Sequence, residues 1–214
     1  MKRMTFDFVS DVSCPWCLIG LRGLEIALER VGDLVQPEIR FHPFELNPDM
    51  PIEGENVLEH VSRKYGSSPD QLRQNRASMK ERAAALGFVM NNSDDSRIWN
   101  TFDAHRLLHW AGLEGRQIAL KHTLFDAYFT RQQSPADHEV LVHAATAAGL
   151  DPELAREVLS SGRYMEEVRL EERRWLTEGV RGVPHIIIND AYVINGGQPP
   201  EKFERALRHI ASKD

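Results

Sequence analysis

The two cysteines of this chain stand close together at the start of an apolar segment, and no other sequence feature constrains the fold as strongly. Residues 5–10, TFDFVS, alternate apolar and polar side chains, which predicts a strand. Cys14 and Cys17 follow, and the apolar side chains after them recur at helical spacing as far as Gly32. The chain is therefore expected to open with a strand and then a helix whose first turn carries both thiols.

Periodicity and turn signals predict the remaining elements. Residues 37–46 indicate a second strand, while residues 55–164 carry helical patterns alone, several with a Ser, Asp or Asn cap and a final Gly. A helix predicted over residues 163–178 precedes two apolar runs, HIII and AYVI, that join at the hairpin signal Asn189-Asp190. With a last amphipathic helix, the order is β-α-β, a helical block, and α-β-β-α.

This order predicts an α/β protein, a thioredoxin fold with a large all-helical insertion. Residues 1–50 and 164–214 would form the thioredoxin-like domain, and residues 51–163 the inserted helical domain. A chain of 214 residues with 42% hydrophobic side chains is large enough to build a core of this kind.

Charge and hydropathy limit the partners and the location. A formal net charge of −6 and a pI near 5.9 argue against a nucleic-acid partner. No apolar run approaches the roughly 18 to 20 residues of a membrane helix, and the first residues carry no apolar leader segment. We therefore expect a cytoplasmic protein without a membrane partner. The insertion could offer a homodimer surface, although no stripe of residues marks one.

A C-x-x-C pair at the start of a helix favours redox chemistry. The unpaired backbone N–H groups and the helix dipole stabilise the thiolate of the first cysteine. Cys14 is therefore the predicted nucleophile, and Cys17, one turn further along, the resolving thiol. Pro15 suits a first helical turn. Trp16 brings no charge, so we expect the helix end, and not a neighbouring cation, to lower the pKa of Cys14.

Two other interpretations of the pair remain open: a metal site and inert buried thiols. Structural zinc needs four ligands, whereas one C-x-x-C supplies two, and the chain has no second pair. His105 and His109 are four residues apart, but no glutamate follows the first histidine as in a metalloprotease motif. We therefore predict no metal.

The segment GVRGVPH, residues 179–185, could complete the site. Val183-Pro184 opens an apolar strand, and an X-Pro bond there can be cis or trans. A cis bond beside the cysteines would expose the Val183 backbone to a peptide or a tripeptide thiol. An ordinary trans proline at the start of a strand is at least as compatible with the sequence.

Five segments together resemble the DsbA family of thiol–disulfide oxidoreductases, and most closely its FrnE-type branch. They are SDVSCPWCLIG, PFELNPDMP, NTFDAHRLLHWA, GVRGVP and GGQPPEKFERAL, in the family's order. The resemblance implies a thioredoxin fold with a helical insertion, with Cys14 and Cys17 as the redox pair and Pro184 as the cis-proline that faces them. One departure is Phe8, because thioredoxin and DsbA carry a buried acid six positions before the first cysteine. Asp11 is nearer but is expected on a loop, so the group that assists Cys17 stays open.

The resemblance also implies that the helix carrying Asn100, His105 and Arg106 covers the site. The alternative for His105 and His109 is packing and hydrogen bonding within the insertion. The candidate substrate-binding residues are Pro15, Trp16, Val183, Asn100, His105, Gly197 and Gln198.

The function implied is a dithiol–disulfide oxidoreductase or isomerase that acts through a mixed disulfide on a protein or small-molecule substrate, with no obligatory cofactor. Related kappa-class glutathione transferases and 2-hydroxychromene-2-carboxylate isomerases resemble versions with serine in place of the first cysteine. The alternative is therefore a glutathione-dependent enzyme acting on a small aromatic compound. Glutathione could bind at Val183, with its γ-glutamyl carboxylate near Gly197 and Gln198. A third alternative is a binding module without activity.

Overall fold

A computed structural model describes residues 1–213 of the chain. The strands are β1 (Lys2–Ser10), β2 (Val35–Pro43), β3 (Glu55–Asn56), β4 (Arg97–Ile98), β5 (His185–Ile188) and β6 (Tyr192–Asn195). The helices are α1 (Pro15–Val31), α2 (Val57–Tyr65), α3 (Pro69–Ala85), α4 (Phe102–Leu113), α5 (Gln117–Phe125), α6 (His138–Ala147), α7 (Pro152–Ser160), α8 (Met165–Thr177) and α9 (Pro200–Lys213).

The central sheet has the strand order β2-β1-β5-β6. Strand β1 runs parallel to β2 and antiparallel to β5, and β6 closes a hairpin with β5. The hairpin turn at Asn189 and Asp190 has two left-handed residues, with φ of 51° and 53°, as the sequence signal requires. Helices α1 and α9 pack together. This is the predicted thioredoxin fold with a helical insertion, and the fold prediction is confirmed.

The insertion shares a core with the sheet. Phe125, Tyr128 and Phe129 pack into the same buried cluster as Phe8 of β1 and Cys17 of α1. A second cluster lies mostly among α4 to α7. The proposed division at residues 50 and 164 stays a prediction, but the first cluster contains buried residues from both parts.

Several predicted boundaries differ from the structure. The second strand is Val35–Pro43 and not 37–46. The block from 55 to 164 is not helical throughout, because β3 and β4 form a short antiparallel pair within it. A strand of two residues is too short to show the alternating periodicity that predicts a strand. The helix expected over 163–178 begins at Met165, after Tyr164 in a left-handed conformation.

Local capping explains most helix starts in the insertion. The Asn56 side chain accepts hydrogen bonds at the start of α2, and Ser68 forms a capping box with Gln71 at the start of α3. Asp137 and Asp151 cap α6 and α7 in the same way. Within residues 1–213, no helix combines the length and apolar character that a membrane span requires.

Candidate active site

The two cysteines occupy the first turn of α1, as the sequence predicts. Cys14 is the cap residue, and its carbonyl accepts hydrogen bonds from the backbone N–H of Cys17 at 3.1 Å and of Leu18 at 3.3 Å. Pro15 is the first helical residue, where its missing N–H removes no bond. The first turn holds no acidic side chain that would oppose a thiolate. Both cysteines are free thiols.

Cys14 and Cys17 differ in access and in contacts. Cys14 is 3% exposed and Cys17 is 0% exposed, so an external disulfide meets Cys14 first. The Cys14 thiol donates a hydrogen bond of 3.6 Å to the carbonyl of Val183. The Val183–Pro184 peptide bond is cis. The loop before β5 therefore lies directly against the first cysteine.

Cys17 is strongly held in its protonated form. Burial raises the pKa of the Cys17 thiol well above its usual range, and the neighbouring Cys14 raises it further. The Lys121 ammonium and a hydrogen bond from the backbone of Asp11 act in the opposite direction but do not outweigh burial. A resolving attack by Cys17 needs its thiolate, so this step depends on groups that stabilise that anion.

Close backbone packing holds Pro184 and Gly197 against α1. A Cβ at Gly197 would lie 2.7 Å from the Trp16 carbonyl oxygen, and one at Gly20 would lie 3.2 Å from the Pro184 ring. The side chain of Gln198 donates to the carbonyl of Asn195 at 2.6 Å. Gly197 therefore borders the first turn of α1, while the Gln198 amide is engaged within its own loop.

Asp11 connects the active-site loop to the insertion. It lies on the loop, as expected, but is only 1% exposed. Its carboxylate accepts hydrogen bonds from the Leu46 N–H at 2.8 Å and the Ser13 hydroxyl at 3.1 Å, and lies 3.3 Å from Nε2 of His105. Burial opposes ionisation of Asp11, but the contacts with His105, the Leu46 N–H and Thr101 outweigh it and lower the pKa of Asp11.

This contact corrects one expectation for the histidines. His105 does not bond within the insertion, because its partner is Asp11 on the loop before Cys14. His109 packs on Tyr164, the first residue after the predicted insertion, with ring centroids 5.1 Å apart and ring planes tilted by 37°. His105 is therefore a link between α4 and the active-site loop, which sequence periodicity could not distinguish from a core histidine.

Asn100 and Arg106 support the structure around the site. The Asn100 amide donates to the Met50 carbonyl at 3.2 Å and its oxygen accepts from the Phe102 N–H at 2.9 Å. Arg106 donates to backbone carbonyls at the end of α7. Both side chains are occupied by internal hydrogen bonds. Arg106 lies on α4 as expected, but Asn100 precedes this helix, which begins at Phe102, so the expectation that the helix carries Asn100 is wrong.

Lys121 is a buried cation that the sequence analysis missed. It is 0% exposed, and its Nζ has no hydrogen-bond partner within the described residues. The ammonium interacts electrostatically with Cys17, Asp11 and Cys14. The expectation that the helix end lowers the pKa of Cys14 stays a prediction, but Lys121 adds a positive charge that acts on both thiols. A signal was present, because Lys121 lies four residues before the buried Phe125 on the same helical face.

The contacts of Lys121 do not offset the cost of burying its charge. Its Nζ lies 5.5 Å from the ring centroid of Phe41 and 5.0 Å from that of Phe125. Cation–π contacts of this kind contribute about 0.5–2 kcal/mol. Removing an ammonium from water costs several kcal/mol. Burial accordingly lowers the pKa of Lys121 to about 8, against the attraction of the thiols and Asp11.

Phe8 occupies the position where thioredoxin and DsbA have their buried acid. Its ring is fully buried and packs on Phe41, with centroids 5.4 Å apart. The position therefore carries no titratable group. The charges near the cysteines come from Asp11 on the loop and from Lys121 in the insertion.

A cavity of about 750 Å³ lies between β2 and the helices α4 and α5. Its lining includes His42 and Phe41 of β2, His105 and His109 of α4, and Lys121 of α5. Among residues 1–213, no group of three or more His, Cys, Asp or Glu side chains is placed to hold a metal ion.

Comparisons with known proteins agree with this geometry. The family description "DSBA-like thioredoxin domain" matches residues 5–208. The uncharacterized protein YwbO of Bacillus subtilis (strain 168) is 27% identical over 199 residues, which cover 92% of each chain. The crystal structure of the probable DsbA oxidoreductase SCO1869 from Streptomyces coelicolor is 35% identical, with a TM-score of 0.89, and covers 99% of this chain and 91% of that one.

The fold is also similar to that of the cytosolic disulfide reductase DsbM from Pseudomonas aeruginosa, solved with GSH. That structure is 18% identical, has a TM-score of 0.65, and covers 97% of this chain and 99% of that chain. The family match covers residues 5–208, a range that includes the cysteine pair at the start of α1 and the loop that contacts Cys14. The chain therefore belongs to the DSBA-like thioredoxin domain family.

Proposed function

We propose that this protein is a cytoplasmic dithiol–disulfide oxidoreductase that uses Cys14 and Cys17 as its redox pair. The main support is the position of Cys14. It caps α1, it is the more accessible of the two thiols, and its sulfur lies 3.6 Å from the Val183 carbonyl oxygen. A substrate chain beside Val183 would therefore bring its sulfur next to Cys14.

The exchange proceeds in two displacements. The Cys14 thiolate attacks one sulfur of the substrate disulfide, so that a Cys14–substrate bond forms, the substrate S–S bond breaks and one substrate thiolate leaves. Cys17 then loses its proton to solvent and attacks Cys14, which forms the Cys14–Cys17 disulfide and releases the second substrate thiolate. The protein loses two electrons and the substrate gains them. The reverse sequence oxidises a substrate dithiol, and relative reduction potentials set the direction. Isomerisation begins with the same attack by Cys14 but ends when another thiol of the substrate displaces Cys14, so no net electrons are transferred.

Glutathione is the small thiol that we propose as a partner or co-substrate. Its cysteinyl backbone would lie beside Val183, and its γ-glutamyl carboxylate near Gly197 and Gln198. Gly197 supports this place because it borders the first turn of α1. The GSH in the DsbM structure supports the choice of ligand. Protein disulfides remain the second substrate class.

A Cys17→Ser variant tests the proposed function. Reduced Cys17→Ser is incubated with oxidised glutathione or with a disulfide-bonded peptide, and the adducts are measured by mass spectrometry. We expect a mixed disulfide on Cys14 that accumulates and that dithiothreitol reverses. The control Cys14→Ser should form no adduct in the time that Cys17→Ser needs to form one. Absence of an adduct on Cys17→Ser would contradict the proposal.

The glutathione-dependent isomerase is distinguished by the first cysteine. Redox exchange requires the Cys14 sulfur. Isomerases of that class resemble this chain with serine at position 14, so such an activity would not need the sulfur. Cys14→Ser is therefore assayed with glutathione and 2-hydroxychromene-2-carboxylate. We expect no turnover, and retained turnover would replace the redox proposal with the isomerase.

A further inference from the structure

The position of Lys121 is fixed by the contact between α5 and the edge strand β2. Gln117 accepts a hydrogen bond from the Phe41 N–H at 2.9 Å and donates to the Phe41 carbonyl at 3.0 Å, as a neighbouring strand would. Lys121 follows one helical turn later on the same face and reaches the rings of Phe41 and Phe125. Both rings belong to the cluster that contains Cys17.

The environment of this ammonium contains few groups that could neutralise it. The groups that act on it electrostatically are Cys17, Asp11 and Cys14, in that order. Asp11 is already engaged by the Leu46 N–H, Ser13 and His105. The other titratable or charged residues that line the adjoining cavity are Glu38, Arg40, His42, His105, His109, Arg116 and Glu171. None of these donates to or accepts from Nζ of Lys121 within the described residues.

We propose that Lys121 is the positive charge that stabilises the Cys17 thiolate while Cys17 resolves the mixed disulfide. This inference rests on the proposed function. It assigns the charge that assists Cys17 to the helical insertion, because the corresponding position on β1 is the uncharged Phe8. Lys121 acts through Cys17 and forms no hydrogen bond to it, so it is a positioning residue. Its charge is retained at neutral pH, because burial lowers its pKa only to about 8.

The step assigned to Lys121 is the second displacement. Cys17 releases its proton to solvent and becomes an anion beside the Lys121 ammonium. The anion attacks the Cys14 sulfur, the Cys14–Cys17 bond forms, and the bond between Cys14 and the substrate sulfur breaks. The substrate leaves as a thiolate and takes its proton from solvent. Lys121 neither gains nor loses a proton in this step.

A chromogenic disulfide, 5,5′-dithiobis(2-nitrobenzoate), separates the two displacements in a single turnover. Attack by Cys14 releases the first thionitrobenzoate, and attack by Cys17 releases the second. In Lys121→Met we expect the second phase to slow several-fold at neutral pH, because a higher pKa of Cys17 leaves fewer thiolates, and the greater nucleophilicity of each thiolate offsets only part of that loss. The first phase should change by less than about threefold, because the Lys121 charge acts more weakly on Cys14 than on Cys17.

The matched control is Lys64→Met. Lys64 also interacts with Asp11, but not with the cysteines. Both phases in this variant should stay within about twofold of the unsubstituted protein, since its charge acts on neither thiol. Equal slowing of both phases in Lys121→Met, or an unchanged second phase, would overturn the proposal.

A second measurement does not depend on turnover. In a Cys14→Ser background, the rate at which iodoacetamide alkylates Cys17 at pH 7, where Lys121 still carries its proton, reports the Cys17 thiolate fraction. The rate should fall several-fold in Lys121→Met and return toward the starting value in Lys121→Arg, which keeps the charge. An unchanged rate would overturn the role of Lys121 even if Cys17→Ser forms its adduct. Failure of that adduct with a changed alkylation rate would instead contradict the proposed function alone.

Discussion

Two buried cations of the helical insertion differ in every contact that they make. Arg106 on α4 is 3% exposed and pairs with Asp103 at 2.7 Å. Its remaining donors reach the backbone carbonyls of Val158, Leu159, Ser161 and Arg163. Lys121 on α5 is 0% exposed and has no such partner within the described residues. The first cation lies at the end of α7, and the second lies near the cysteine pair.

The difference separates a structural charge from a functional one. A buried charge that is fully hydrogen-bonded secures the segments that it joins, and its loss leaves several carbonyls unsatisfied. A buried charge without partners costs folding free energy and secures nothing. Its retention is explained when the group serves chemistry, and the Lys121 charge favours the Cys17 anion. The comparison can therefore be tested by removing each charge in turn.

The largest expected effect is the loss of Arg106. In Arg106→Met the free energy of unfolding should fall by about 3–5 kcal/mol, because Asp103 and the carbonyls after α7 lose their donor inside the protein. Urea denaturation at neutral pH measures this change. Arg174→Met, which removes an exposed ion pair with Glu178, should stay within about 0.5 kcal/mol. If the free energy of unfolding falls no further in Arg106→Met than in Arg174→Met, then the Arg106 charge does not have the structural role described above.

A second buried charge cluster gives a smaller effect with a defined pH window. Burial raises the pKa of Glu45 to about 8, and the nearby Glu172 adds to this, while Arg169 opposes it. One oxygen of Glu45 and one of Glu172 lack a hydrogen-bond partner within the described residues. A carboxyl group whose pKa is raised by folding stabilises the protein below its unfolded pKa of about 4.5. That contribution is lost as the pH rises toward about 8.

Glu45→Gln should therefore make stability less dependent on pH between about 4.5 and 8. At pH 9 we expect the variant to exceed the unsubstituted protein by roughly 2 kcal/mol, because an amide carries no charge to bury. Urea denaturation at several pH values measures the difference. The control Glu167→Gln, at an exposed position on α8, should reproduce the original pH profile. A difference that does not grow between pH 5 and 9 would contradict this assignment.

Much of the fold is predictable from the sequence because its signals are local. The alternation in TFDFVS, the caps at Ser68, Asp137 and Asp151, and the turn at Asn189 each reflect a few neighbouring residues. The short pair β3 and β4 is not predictable in this way, since two-residue strands are defined by each other across the fold. The loop position of Asp11 was predictable, but its burial depends on α4 and the segment at Leu46.

The site shows the same limit. Cys14, Cys17 and Pro184 belong to motifs and could be selected from the sequence alone. Lys121 lies more than 100 residues from the cysteines in sequence, and only the packing of α5 on β2 brings it to them. A lysine inside an apolar helical face was the available signal. The same pattern is also compatible with a lysine side chain that extends to solvent, so only the structure shows that Lys121 is buried.

The smallest expected effect concerns the stability cost of Lys121 itself. At neutral pH, Lys121→Met should unfold with a free energy equal to the unsubstituted protein or higher by roughly 1 kcal/mol, since methionine fills the site without a charge. Folding lowers the pKa of Lys121 from about 10.5 to about 8. Above about pH 8 the folded protein carries a neutral amine there, while the unfolded chain still binds the proton. Between about pH 8 and 10.5, the free energy of unfolding of the unsubstituted protein therefore rises relative to that of Lys121→Met.

The advantage of Lys121→Met should accordingly disappear by about pH 10, and reduced protein in urea at pH 7 and pH 10 measures the change. Lys202→Met, exposed on α9, should show no advantage at either pH. If Lys121→Met is instead destabilised at neutral pH to the same extent as Arg106→Met, then the Lys121 ammonium has a structural partner after all. The two buried cations would then be alike, and the slow second phase expected of Lys121→Met would reflect a loosened core.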